Sequence, residues 1–213
     1  YRFAVDTTGV HKLNKNFLNS LGINTSAINP KNIKIYGHGG KPLPLLNSET
    51  VSNDLIENTI QVIGEEDGVF NDDDYILMYA IGPKKYNSDY NSHINPYSDK
   101  SYYYVNTSLG NGARMSTALE PSGNADLIYN SFHNYKFVES DTYNIAKMGR
   151  RWFGHRFYVE NVRVFSFDFP NLMTSSPIHL KVYTAAASES DSSMQLKLNG
   201  SNVSNFNYSA IDN

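Results

Sequence analysis

The 213-residue chain carries 18 Lys and Arg against 21 Asp and Glu, for a formal net charge of −3. With no basic run longer than a pair, it lacks the electrostatic footprint of a nucleic-acid binder or of a protein held to an anionic membrane. Cysteine is absent, which excludes disulfides, thiolate metal sites and a cysteine nucleophile. Only 18% of residues are charged, whereas there are 16 tyrosines and 11 phenylalanines and asparagine recurs throughout, a balance that favours strands and tight turns over helices.

Taken in chain order, Tyr1–Val5 and Val10–Leu13 read as a hairpin pair around Asp6-Thr7-Thr8-Gly9. Asn14 then caps a short helix with an apolar face of Phe17, Leu18 and Leu21, stopped by Gly22. Ile33 and Ile35 alternate with polar neighbours in a strand that Gly37-His38-Gly39-Gly40 turns back toward Leu43 and Leu45. An acidic hairpin follows at 64–83, and Tyr102 to Val105 form a further strand after a polar loop. Between 108 and 124 periodicity is lost and Gly, Ser, Asn and Pro collect, the composition of a linker. Beyond it, Phe132–Val138, Arg156–Val159, Val162–Phe169, Ile178–Thr184 and Met194–Leu198 read as strands.

The expected fold class is therefore mainly β. A β-rich (α+β) N-terminal domain with one short helix occupies residues 1–108, a linker 109–124, and a β-sandwich or jelly-roll-like domain 125–213. No apolar run reaches transmembrane length, and there is neither an initiator methionine nor a signal-peptide pattern. Because Tyr1 already opens a strand-like alternation, both ends read as those of a fragment, with the second domain cut short.

The segment GEEDGVFNDDDYILMYAIGP packs six acidic residues between two apolar runs. Asp67, Gly68, Phe70, Asn71 and Asp74 fall at the offsets of the later half of an EF-hand loop. Its first ligand position is Ile63, which has no side-chain oxygen, and the flanks read as strands rather than helices. Two readings stand: a hairpin turn with solvated carboxylates, or an incomplete calcium loop in which Glu65, Asp67, Asn71 and Asp74 converge on the ion.

Gly37-His38-Gly39-Gly40 is superficially like the oxyanion loop of esterases, yet no G-x-S-x-G elbow accompanies it, so it reads as a turn. The six histidines have no metal-ligand spacing. In GRRWFGHRF the only tryptophan lies beside Arg150 and Arg151 between two glycines. Arg150, Arg151 and Trp152 are a candidate interaction surface for a sugar ring or a peptide, or else the tryptophan anchors a seam between domains.

The ordered set GVHKLNKNFLNSLGI, NIKIYGHGG, the acidic hairpin, HINPYSDKSYYYV and GRRWFGHRF resembles the N-terminal region of the PorU-like sortases of the type IX secretion system of Bacteroidetes. These proteins carry a gingipain-like cysteine peptidase domain further along. His155 departs from the family pattern, where an acidic or polar residue is usual. The resemblance implies a parent protein at the cell surface or outer membrane that removes C-terminal sorting signals and attaches cargo to an anionic lipopolysaccharide. With no cysteine here, none of that chemistry transfers, and no catalytic residue or cofactor is expected beyond the candidate calcium. The expected role is a non-catalytic accessory region, partnered by the downstream peptidase domain and by secretion-system components or cargo. The alternatives are a prodomain-like inhibitor presenting Arg150 or Arg151, and a calcium- or carbohydrate-binding surface module.

Overall fold

The computed structural model describes residues 1–124, 127–145, 147, 149 and 151–211. The chain is mainly β, with its named strands in three antiparallel sheets and one short α-helix. It divides into two compact units, Tyr1–Phe132 and His133–Asn213.

In the first unit, β1 (Arg2–Val5), β7 (Ser101–Asn106), β3 (Lys34–Tyr36) and β4 (Glu57–Asn58) make one sheet in that spatial order. β2 (Gly9–Asn14), β6 (Tyr75–Ala80) and β5 (Gln61–Ile63) make the other. Period-2 alternation decides which residues face inward. Phe3, Val5, Ile35, Tyr103 and Val105 of the first sheet share one buried cluster with Leu13, Val62, Ile76, Met78 and Ala80 of the second. The Tyr103 ring stacks on Phe3 at 5.9 Å, and its hydroxyl accepts the Ile81 N–H at 2.7 Å, so one side chain spans from sheet to sheet.

Helix α1 (Lys15–Ser20) begins and ends as its residues dictate. Asn14 accepts the Phe17 N–H at 2.9 Å. At the other end Gly22 N–H reaches the Asn19 carbonyl and Ile23 N–H reaches that of Leu18, the paired bonds of a Schellman stop. Leu18 and Ile23, which this motif brings together, are both buried in the core.

Two local expectations are corrected in this unit. β1 and β2 do not form a hairpin: β1 pairs with β7 and β2 with β6, in opposite sheets. The Asp6–Gly9 corner instead crosses between sheets, held where the Gly82 N–H donates to Thr8 Oγ1 at 3.0 Å. The crossing lets both strands turn their apolar residues into one core. β3 does not return along Leu43 and Leu45 but pairs with β4 and β7. Pro42 and Pro44 withhold the N–H groups that a ladder there would need.

In the second unit the run Met194–Leu198 lies within β8 (Ser192–Leu198), paired with β9 (Ser201–Tyr208). The other four runs carry no named strand, and no described residue of this unit is fully buried. Alternation specifies a face, whereas a ladder also needs a neighbour. Among the described residues, the two sheets that share a buried core lie in the first unit. β9 went unread because its asparagines and serines hide the pattern, although Asn199-Gly200, both at positive φ, is a strong two-residue hairpin signal.

Candidate functional site

The acidic segment joins β5 to β6, which pair antiparallel with Ile63 opposite Tyr75. Phe70, fully buried, pins the loop to the core. Gly64, at φ +91°, turns the chain out of β5, and a Cβ there would lie 1.8 Å from Asp74 Oδ1. Glycine is thus required both for the turn and for the space that Asp74 fills.

The four candidate ligands already hold hydrogen bonds: Asp67 and Asp74 both bond to Asn71, and Glu65 bonds to Arg114. Asp74, 8% exposed, accepts the Asn71 N–H at 2.7 Å. Asp67 accepts the Val69 N–H through Oδ1 and the Asn71 side-chain amide through Oδ2, each at 2.9 Å. These bonds, that from Val69 foremost, hold its carboxyl below the ordinary range. Glu65 turns away toward Arg114. Among the described residues no three or more His, Asp or Glu side chains converge as a metal site would require.

Arg114 was not singled out in the sequence, yet it makes the most extensive polar contact of the unit. Its Nε donates to Glu65 Oε1 at 3.1 Å and Oε2 at 2.9 Å, and its Nη2 lies 2.8 Å from Oε2. Nη1 reaches the Ile33 carbonyl at 3.1 Å, and Nη2 reaches those of Pro30 and Lys31, both at 3.0 Å. The planar fork of arginine suits this convergence of a carboxylate and carbonyls. Its backbone is seated as well: Gly112 N–H donates to Lys31 O, Ala113 N–H to Glu57 Oε1, and Met115 N–H to Ile60 O. A Cβ on Gly112 would stand 2.2 Å from the Ile33 carbonyl oxygen. Only the folded chain brings residue 114 to residue 65, so no local signal could have shown the pair.

The glycine strap at 37–40 holds the sheets close. Gly37 N–H is used by the Ile56 carbonyl at 3.0 Å and Gly40 N–H by that of Ile81 at 3.3 Å. A Cβ on Gly37 would meet the Tyr103 ring at 2.7 Å. His38 is exposed at the rim of a depression of about 280 Å³ that Asn58, Tyr79 and Met115 also line.

Of the candidate interaction residues, Arg150 lies outside the described residues. Arg151 is exposed and Trp152 is 48% exposed. The following Phe153 exchanges backbone bonds with Tyr143 at 2.7 and 2.8 Å, and His155 lies 5.0 Å from the Phe165 ring.

No family model matches the chain, and no curated protein matches it. Among solved structures it is similar to that of dimeric latent PorU from Porphyromonas gingivalis, with a TM-score of 0.38 and 24% identity over 55% of this chain. The match spans 10% of that protein's length.

Proposed function

We propose that this chain is a non-catalytic accessory region of a secretion-system sortase. In this reading it supports or orients a peptidase domain of the same protein, outside the cytoplasm at the outer membrane, and offers a docking surface to cargo or secretion-system components. The supporting observation is the ordered set of five family-like segments, four of which serve the first unit as structural parts: helix and cap, glycine strap, acidic hairpin, and the strand β7. No cysteine is present to act as a nucleophile, and Glu65, Asp67 and Asp74 are occupied by internal bonds. Removal of sorting signals and attachment of cargo to lipopolysaccharide would belong to a cysteine–histidine pair elsewhere in the parent protein. The purified chain should hydrolyse neither peptide nor ester substrates, and measured turnover would sink the reading.

The exposure of Arg151 favours a second reading, in which this chain inhibits the downstream peptidase. Addition of the chain to the separately expressed peptidase domain would then suppress turnover. Unchanged turnover at saturating chain eliminates it.

A further inference from the structure

We propose that two long loops of the first unit form a docking groove for an acidic, apolar segment of a partner polypeptide. The inference rests on the docking role proposed above and names the surface and the partner chemistry. Residues 37–56 between β3 and β4, and 81–100 between β6 and β7, contain no named strand or helix. Loops of this length in a compact body are uncommon unless they serve a function.

The two loops are tied together. Asn95 Nδ2 donates to the Gly40 carbonyl at 3.0 Å, and the Tyr90 hydroxyl donates to that of Leu43 at 3.2 Å. Between them lies a depression of about 260 Å³ whose lining includes Lys41, Pro42, Pro83, Lys85 and Tyr86. Among the described residues, the ammonium groups of Lys41, Lys84 and Lys85 form no hydrogen bond or ion pair. Lys15 and Arg114, by contrast, are paired with Asp72 and Glu65. In the lining Lys41 and Lys85 stand against one carboxylate, Asp89, an excess of one positive charge on a chain whose net charge is −3.

Apolar groups are exposed on the same two loops: Tyr86 lines the depression with Lys41 and Lys85, and Leu43 and Leu46 follow Lys41 along the first loop. Leu43 is 67% and Leu46 63% exposed, and Tyr86 is 45% exposed. Acidic side chains alternating with apolar ones would match both features, since charge complementarity steers the encounter and buried leucine or tyrosine supplies the anchors. A bare phosphate polymer would leave the leucines unmatched. A purely apolar surface would bury the ammonium groups without partners.

The test uses the whole chain and a short fluorescent peptide of alternating aspartate and leucine, with a lysine–leucine peptide as control and polyphosphate as competitor. The acidic peptide should bind and its control should not. Lys41→Glu with Lys85→Glu should weaken binding at least about tenfold, and added salt should weaken it too. Leu43→Ser with Leu46→Ser should weaken peptide binding while leaving polyphosphate binding unchanged. All four side chains are exposed, so melting curves should show the variants folded. The proposal is overturned by absent or equal binding of the two peptides, by indifference to the lysine reversals, or by peptide binding that ignores the leucine changes. Any of these leaves the accessory reading standing, because that reading fails on hydrolysis instead.

Discussion

Arg114 illustrates how one side chain can hold distant parts of a chain together. Its guanidinium and the Glu65 carboxylate are 23% and 19% exposed, and removal of one partner leaves the other largely buried without its counter-charge. Arg114→Ala should cost about 3 kcal/mol of stability in urea unfolding. Arg114→Lys should recover little, because an ammonium cannot span the carboxylate and the Pro30, Lys31 and Ile33 carbonyls at once. At Gly64, Ala would collide with Asp74 and hold a disfavoured backbone angle, a loss of about 2 kcal/mol or more by the same measurement. Asp67 adds a pH dependence of determined sign. Its folded carboxyl lies below the ordinary value of 3.8, so the unfolded chain binds its proton first as acid is added. The contribution is present above that ordinary value and is lost as pH falls through the lower folded value. Asp67→Asn should flatten this part of an acid unfolding profile, and NMR titration of the side chain would report the lowered value directly.

At the scale of elements, local chemistry and pairing part company. The cap at Asn14 and the stop at Gly22 are encoded within a few residues, so both ends of α1 are legible before any fold is known. Asn14→Ala should cost about 1 kcal/mol in urea unfolding, and Asn14→Ser should restore most of it. The acidic hairpin is legible as a hairpin for the same reason, since its two apolar runs alternate and its glycines turn. What its carboxylates do was not legible, because Glu65 is claimed by a residue far along the chain and Asp74 by the space that Gly64 leaves. With these groups already bonded, excess calcium is expected to leave the melting temperature unchanged. A rise that depends on calcium concentration would point to a bound ion by linkage. The pairing of β1 with β7, in place of β2, was likewise beyond local reading, since nothing in either strand names its neighbour.

Over the whole molecule, burial is unequally divided. Every fully buried residue among those described belongs to the first unit, and the second contributes only the β8–β9 hairpin as named strands. Native-state hydrogen exchange should therefore find the slowest amides in β6, β7 and β3, with faster exchange at the described residues of the second unit outside the hairpin. Equal protection in the two units would contradict this.

The sequence by itself determined the mainly β class, the helix with its cap and stop, the acidic hairpin, and the absence of a cysteine nucleophile. Each of these depends on residue type, alternation or capping within a few positions of chain. Only the tertiary structure decided which strands pair, where facing sheets enclose a core, that Arg114 closes on Glu65, and that two loops meet around Lys41 and Lys85. Those outcomes rest on contacts between residues far apart in the chain, and the free energy of such contacts exists only once the chain has folded.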